Sequence, residues 1–160
     1  MDFTSPTVGK PPSPADDDVR INLTAYIRLC ALFTPKFLKK KEATIVNNSS
    51  GLAFVPIASM PVYCATKAAI HSFTTSLRHQ LRNSPIRVVE AVPPTTDTDL
   101  DASFAGGKKE EYRGIGPEQV ATDIIKGLES DQEEILVGQA EWLYGESLRN
   151  PKAAFQRLNG

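Results

Sequence analysis

Apolar positions fall along this chain in two kinds of pattern. Short β-branched runs at 44–47, 87–92 and 134–137 predict strands, and unbroken apolar residues within them predict burial on both faces of a parallel sheet. Longer stretches repeat at helical spacing. "VRINLTAYIRLCALFTPKFLKKKE" carries Ile27, Cys30, Ala31, Phe33, Phe37 and Leu38 on such a pattern. Asp16, Asp17 and Asp18 predict an N-cap and acidic first turn for this helix, and Pro35 predicts a kink or a shifted last turn. A second helix opens near Tyr63 and runs to about Arg82. Pro117 suits the first position of a third, ending near Ser130. "AEWLYGESLRN" and "PKAAFQRL" predict two terminal helical pieces split at Pro151.

The order is helix, strand, helix, strand, helix, strand, helix. Such alternation predicts an α/β fold in three layers, with about three parallel strands, right-handed crossovers and helices on both faces. Residues 1–15, rich in Pro, Ser and Thr, read as a flexible arm, and 16–160 as one domain. Residues 95–115, with Gly106 and Gly107, read as a mobile loop.

Composition narrows function by exclusion. A formal net charge of -1 gives no electrostatic case for nucleic acid or an anionic membrane surface. No apolar run approaches the roughly 18 residues of a membrane span, and the N-terminus lacks the apolar core of a secretory signal. Cys30 and Cys64 lie far apart without metal-ligand spacing, so they read as reduced thiols of a cytoplasmic protein, and no metal is expected. In that compartment the sequons at Asn22, Asn47 and Asn48 are irrelevant. Lys39, Lys40 and Lys41 read as a solvated helix end. His71 and His79 have no evident carboxylate partner and read as surface or interface histidines.

The candidate chemistry lies where the first strand ends and the second helix begins. Tyr63 and Lys67, four apart, share a helix face. A lysine cation beside a phenol lowers a pKa that is otherwise about 10 and makes it a usable acid or base. The pair alone more often means an aromatic ring packed over a lysine stem. Ser50, at the end of the preceding strand, can reach the same substrate oxygen, because open α/β sheets keep their chemistry at the carboxyl ends of strands.

"IVNNSSGLAFVPIASMPVYCATKAAIHSFTTSLRHQLR" resembles the catalytic segment of the short-chain dehydrogenase/reductase family: a strand ending in Asn-x-Ser-Ser, then Tyr-x-x-x-Lys opening a long helix. "RINLTAYIRL" resembles the family's preceding helix, and "VVEAVPPTTDTDL" the strand and loop after the active-site helix. The resemblance implies that Tyr63 is the acid/base, that Lys67 tunes it and binds the nicotinamide ribose, that Ser50 polarises the substrate oxygen, and that Asn22 holds a water in a proton relay. Ser49 is then structural. Tyr63, Lys67, Pro93 and Thr98 would meet the cofactor, with Pro94 where most members have glycine. Asn48 stands in place of the usual apolar residue.

The family's glycine-rich turn, T-G-x-x-x-G-x-G, which lets backbone approach a pyrophosphate, is not in this sequence. The chain therefore resembles the C-terminal half of the family domain, a truncated Rossmann-like fold. Three readings follow: an NAD- or NADP-dependent oxidoreductase by lineage acting on a carbonyl or hydroxyl of a small molecule, a cofactor-independent proton-transfer enzyme (dehydratase, isomerase or cyclase), or a non-catalytic partner of a full-length relative. The family's dimer interface uses the helices of Asn22 and Tyr63, so a homodimer, or a heterodimer with a full-length relative, is expected.

Overall fold

The computed structural model describes residues 14–98 and 114–160. Helix α1 (Pro14–Val19) leads through a π-helical segment, Arg20–Thr24, into α2 (Ala25–Phe37). Then come β1 (Ala43–Asn48), a 3-10 turn at Gly51–Ala53, α3 (Pro61–Leu81) and β2 (Ile86–Val92). After the undescribed segment follow α4 (Pro117–Glu129), β3 (Glu134–Leu136), α5 (Gln139–Arg149) and α6 (Pro151–Asn159).

The three strands are parallel, in the order β1-β2-β3. Successive strand residues point to opposite faces, so the two faces of β2 build separate cores. Ile86 and Val88 join Ile45 and Cys30 beneath α2 and α3, with Phe73 and Leu77 packed alongside. Val89 joins Ile135, Val137 and Val120 beneath α4. This is the expected three-layer, partial Rossmann-like arrangement. A third cluster, Val55, Leu143 and Ala154, ties α5 and α6 to the segment after β1. Gly51 permits that contact: a Cβ there would lie 2.8 Å from Leu143 Cδ1 and 3.2 Å from Ala140 Cα.

Several expectations need correction. The first helix starts no later than Pro14, so Asp16 and Asp17 lie within its first turn, and Pro14 belongs to the helix rather than to an arm. The rest of the arm, 1–13, lies outside the described residues, as does most of the 95–115 loop. The described ends of that loop are joined: Ile115 N donates to Thr95 O at 3.1 Å, and Asp97 N to Ile115 O at 3.0 Å. Pro35 lies inside its helix, which continues two residues past it to Phe37, and its missing N–H forfeits one backbone hydrogen bond of the last turn. Strand β1 is not buried on both faces. Ile45 and Asn47 are buried under the helices, but Thr44, Val46 and Asn48 are exposed, because α4 covers only the β2–β3 part of the opposite face. Exposure of Asn48 on that face accounts for a polar residue there.

The α2 side also presents apolar residues to solvent. Ile21, Leu29 and Leu32 are 60%, 53% and 57% exposed. No helix among the described residues is long and apolar enough to cross a membrane.

Candidate active site

A cavity of about 1130 Å³ opens at the carboxyl ends of β1 and β2. Ser49 and Ser50 reach it from β1, Pro93 to Thr96 and Thr98 from the segment after β2, Tyr63 and Lys67 from the first turns of α3, and Asn22 from the π-helical segment. Asn22, Ser50, Tyr63 and Lys67, with Pro93 and Thr98, thus line one cavity. The π-helical segment matters locally: its wider turn interrupts the regular helix at Asn22, a distortion frequent at functional sites.

Ser50 has extended backbone and caps the 3-10 turn, its Oγ accepting from Leu52 N at 3.2 Å. Tyr63 lines the same cavity, and Ser50 acts on its phenol in the direction that favours the phenolate. Pro61 at the first position of α3 sets the helix start two residues before Tyr63.

Lys67 is 5% exposed. Its Nζ donates to Asn48 O at 3.0 Å and lies 5.5 Å from the Tyr63 ring centroid and 5.8 Å from that of Tyr26. Two aromatic faces and one carbonyl thus replace water around the ammonium, each face contributing about 0.5–2 kcal/mol. Tyr26 was not singled out from sequence. It sits four residues after Asn22, a helical repeat that would have placed it on the same side.

The electrostatics correct one expectation. Burial pushes the Tyr63 phenol above its ordinary value, outweighing the Ser50 hydrogen bond that lowers it, while Cys64, Tyr26 and Asp18 push it further up. Lys67 aims its ammonium at the Asn48 carbonyl, and burial pushes its own pKa down. The geometry therefore holds Tyr63 protonated at neutral pH, ready to donate. Burial likewise pushes the Cys30 and Cys64 thiols up; both are free.

The rest of the cavity is largely apolar, with Ile57, Met60, Val120, Ile124, Leu143 and Leu158 on its walls. Asn159, at the end of α6, fastens the near loop: its carboxamide accepts from Ala58 N and donates to Pro56 O at 3.1 Å. Sequence reasoning did not find this clamp, whose partners are about a hundred positions apart. It also read His71 as lacking a carboxylate. The structure places His71 Nδ1 2.8 Å from Glu90 Oε2, a contact between α3 and the centre of the sheet.

The comparisons agree with this geometry. A family model described as "short chain dehydrogenase" matches residues 11–109. The uncharacterized oxidoreductase DltE of Bacillus subtilis is 41% identical over 143 residues, which are 89% of this chain and 57% of that protein. The benzil reductase ((S)-benzoin forming) of Bacillus subtilis is 29% identical over 99 residues, 60% of this chain and 41% of that protein. Among solved structures, a short chain dehydrogenase from Burkholderia cenocepacia in complex with NADP superposes with a TM-score of 0.80 at 21% identity, over 99% of this chain and 66% of that one. One from Sphingobium yanoikuyae in complex with NADPH gives 0.69 at 26% identity, over 82% and 52%. The chain spans about half the length of the curated relatives it matches.

The burial of Lys67 has a measurable consequence. Its folded pKa lies below the 10.5 of the unfolded chain, so the unfolded state binds the extra proton in the window between the two. Stability then rises with pH through that window. Lys67→Met removes this dependence. The stability of Lys67→Met relative to the native protein should be greatest near neutral pH and fall as pH approaches 10.5. Urea denaturation midpoints measured across that range check it, and a difference that is flat or grows with pH contradicts it.

Proposed function

This chain belongs to the short chain dehydrogenase family, and from that premise we propose that it carries the catalytic elements of a nicotinamide-dependent carbonyl reductase. The observation that carries the reading is the meeting of Ser50 and Tyr63 in a cavity where, among the described lining residues, Lys67 is the one charged side chain. Ser50 and Tyr63 hold a substrate carbonyl oxygen between two hydroxyls. Tyr63, protonated at neutral pH, passes its proton to that oxygen, and Lys67 stabilises the phenolate left behind. Asn22, in the same wall, holds a water that returns a proton by way of Lys67. The apolar walls suit a carbonyl compound with bulky apolar substituents.

The residues fit the nicotinamide–ribose end of an NAD or NADP cofactor, which when bound supplies the hydride. Tyr63, Lys67, Pro93 and Thr98 line one cavity, and the buried Ser49 hydroxyl beside them has no partner among the described residues. The sequence offers no glycine-rich turn for a pyrophosphate. NADPH should therefore bind this chain with a Kd well above the micromolar range, and calorimetry showing micromolar affinity would overturn that expectation. At millimolar NADPH, with benzil as probe, turnover should fall about 10²–10⁴-fold in Tyr63→Phe. Turnover that survives this substitution removes Tyr63 from the chemistry. Tyr63-dependent conversion of a hydroxyketone without NADPH would favour cofactor-free proton transfer instead.

The exposed apolar residues of α2 support association, either of two copies or with a full-length relative through the helices of Asn22 and Tyr63. Sedimentation velocity should show a concentration-dependent dimer that Leu32→Glu abolishes. A monomer at hundreds of micromolar, with or without the substitution, argues against self-pairing.

A further inference from the structure

We propose that His71, Glu90 and Glu134 form a binding site for a divalent transition-metal ion of the zinc type, separate from the catalytic cavity. The three residues come from α3, β2 and β3, and one ligand atom from each lies within 4.8 Å of the others. Glu90 and Glu134 are direct neighbours in the β2–β3 register, so two carboxylates face the same side of the sheet. Like charges so placed need a counter-charge. Glu90 is fully buried, and while its Oε2 meets His71, its Oε1 has no hydrogen-bond partner among the described residues. An unpartnered carboxylate oxygen in the interior is costly, and ordinary pairing with His71 leaves that cost unanswered.

The donor chemistry selects the ion. One imidazole nitrogen and two carboxylates form a mixed set of the kind zinc and neighbouring borderline metals accept. Their formal charge of about -2 matches a dication. Ligands about 2.1 Å from a tetrahedral ion lie about 3.4 Å apart. The His71–Glu90 contact of 2.8 Å has to open slightly, and the wider gaps have to close by side-chain rotation alone. His71 and Glu134 side chains are each 31% exposed, so the ion has a path in and a water can complete its shell. The Phe54 ring, 4.9 Å from the His71 ring and edge-on, holds the imidazole in place.

Arg78 is the competitor. Its Nη1 lies 3.4 Å from Glu134 Oε1. It does not depend on that contact, because Nε donates to Val88 O at 2.9 Å and Nη2 to Glu133 O at 2.8 Å. Glu134 can leave Arg78 for the metal without stranding the guanidinium.

The test uses the full chain, stripped with a chelator and titrated with Zn²⁺ by calorimetry, and separately with Co²⁺ by visible absorption. One site per chain is expected, with Co²⁺ bands of a four- or five-coordinate nitrogen–oxygen shell. His71→Ala and Glu134→Gln should each weaken binding by more than about tenfold, and His79→Ala, on an exposed stretch of the same helix, should leave it unchanged. Glu134→Gln alters a partly exposed strand-end residue, so it tests the site even if changes at Glu90 prevent folding. Absence of binding by both ions, or binding unaltered in His71→Ala and Glu134→Gln, overturns the proposal and leaves a closed His–Glu–Arg cluster.

Discussion

A polar stripe on α3 meets a polar row on the sheet, and the position of every other part of the site follows from that match. Lys67, His71, Thr74 and Arg78 recur at helical spacing along the buried face of α3. Opposite them, Asn47, Glu90 and Glu134 stand in register across the three strands. Asn47 Nδ2 donates to Thr74 Oγ1 at 2.9 Å, Glu90 meets His71, and Glu134 meets Arg78. Lys67 reaches the Asn48 carbonyl one residue further along β1. Apolar contacts alone would let a helix slide on a sheet at modest cost. Buried polar groups left without partners cost about 1–3 kcal/mol each, so this stripe fixes the helix in one register. Tyr63, one turn before Lys67, is thereby fixed beside Ser50.

The same match explains an apparent conflict at the site. A lysine beside a tyrosine invites the idea of a phenol with a depressed pKa. Yet the ammonium that would depress it is itself committed to a carbonyl and two ring faces, and both groups are taken from water together. Burial therefore acts on each in the direction of its neutral form. The protonated phenol is the form that carbonyl reduction consumes. In the proposed reduction Lys67 acts after the proton has left, when a negative charge develops next to it.

Much of this was legible in the sequence. The strands were located to within a residue or two because β-branched runs bounded by polar residues have few alternatives. That Ser50, Tyr63, Lys67 and Asn22 line one cavity was legible because their spacings mean little alone but are specific together. What escaped notice depended on neighbours distant in sequence. Val46 reads as buried within its own run, and its exposure depends on where α4 lies. The His71–Glu90 pair joins positions 19 apart on a helix and a strand, and only the repeat Lys67, His71, Thr74, Arg78 hinted that this face of α3 was polar. The pKa direction of Tyr63 required its burial, which no local pattern encodes.

The acid–base geometry and the incomplete surfaces of this chain are spatially distinct. Ser50, Tyr63, Lys67 and Asn22 all meet at the carboxyl ends of β1 and β2, where Ser50 is held by Leu52 N and Lys67 by the Asn48 carbonyl. The uncovered parts, the outer face of β1 and the apolar side of α2, take no part in those contacts. Covering them changes the stability and association of the chain, by the usual economy of removing apolar surface from water. It need not move the phenol or the lysine, whose positions are set by the polar match beneath α3. Retention of a cofactor is a different matter, because that depends on groups able to hold a pyrophosphate. Within the described residues, the polar match beneath α3 fixes where Tyr63 and Lys67 stand, whatever covers the outer face of β1 and the apolar side of α2.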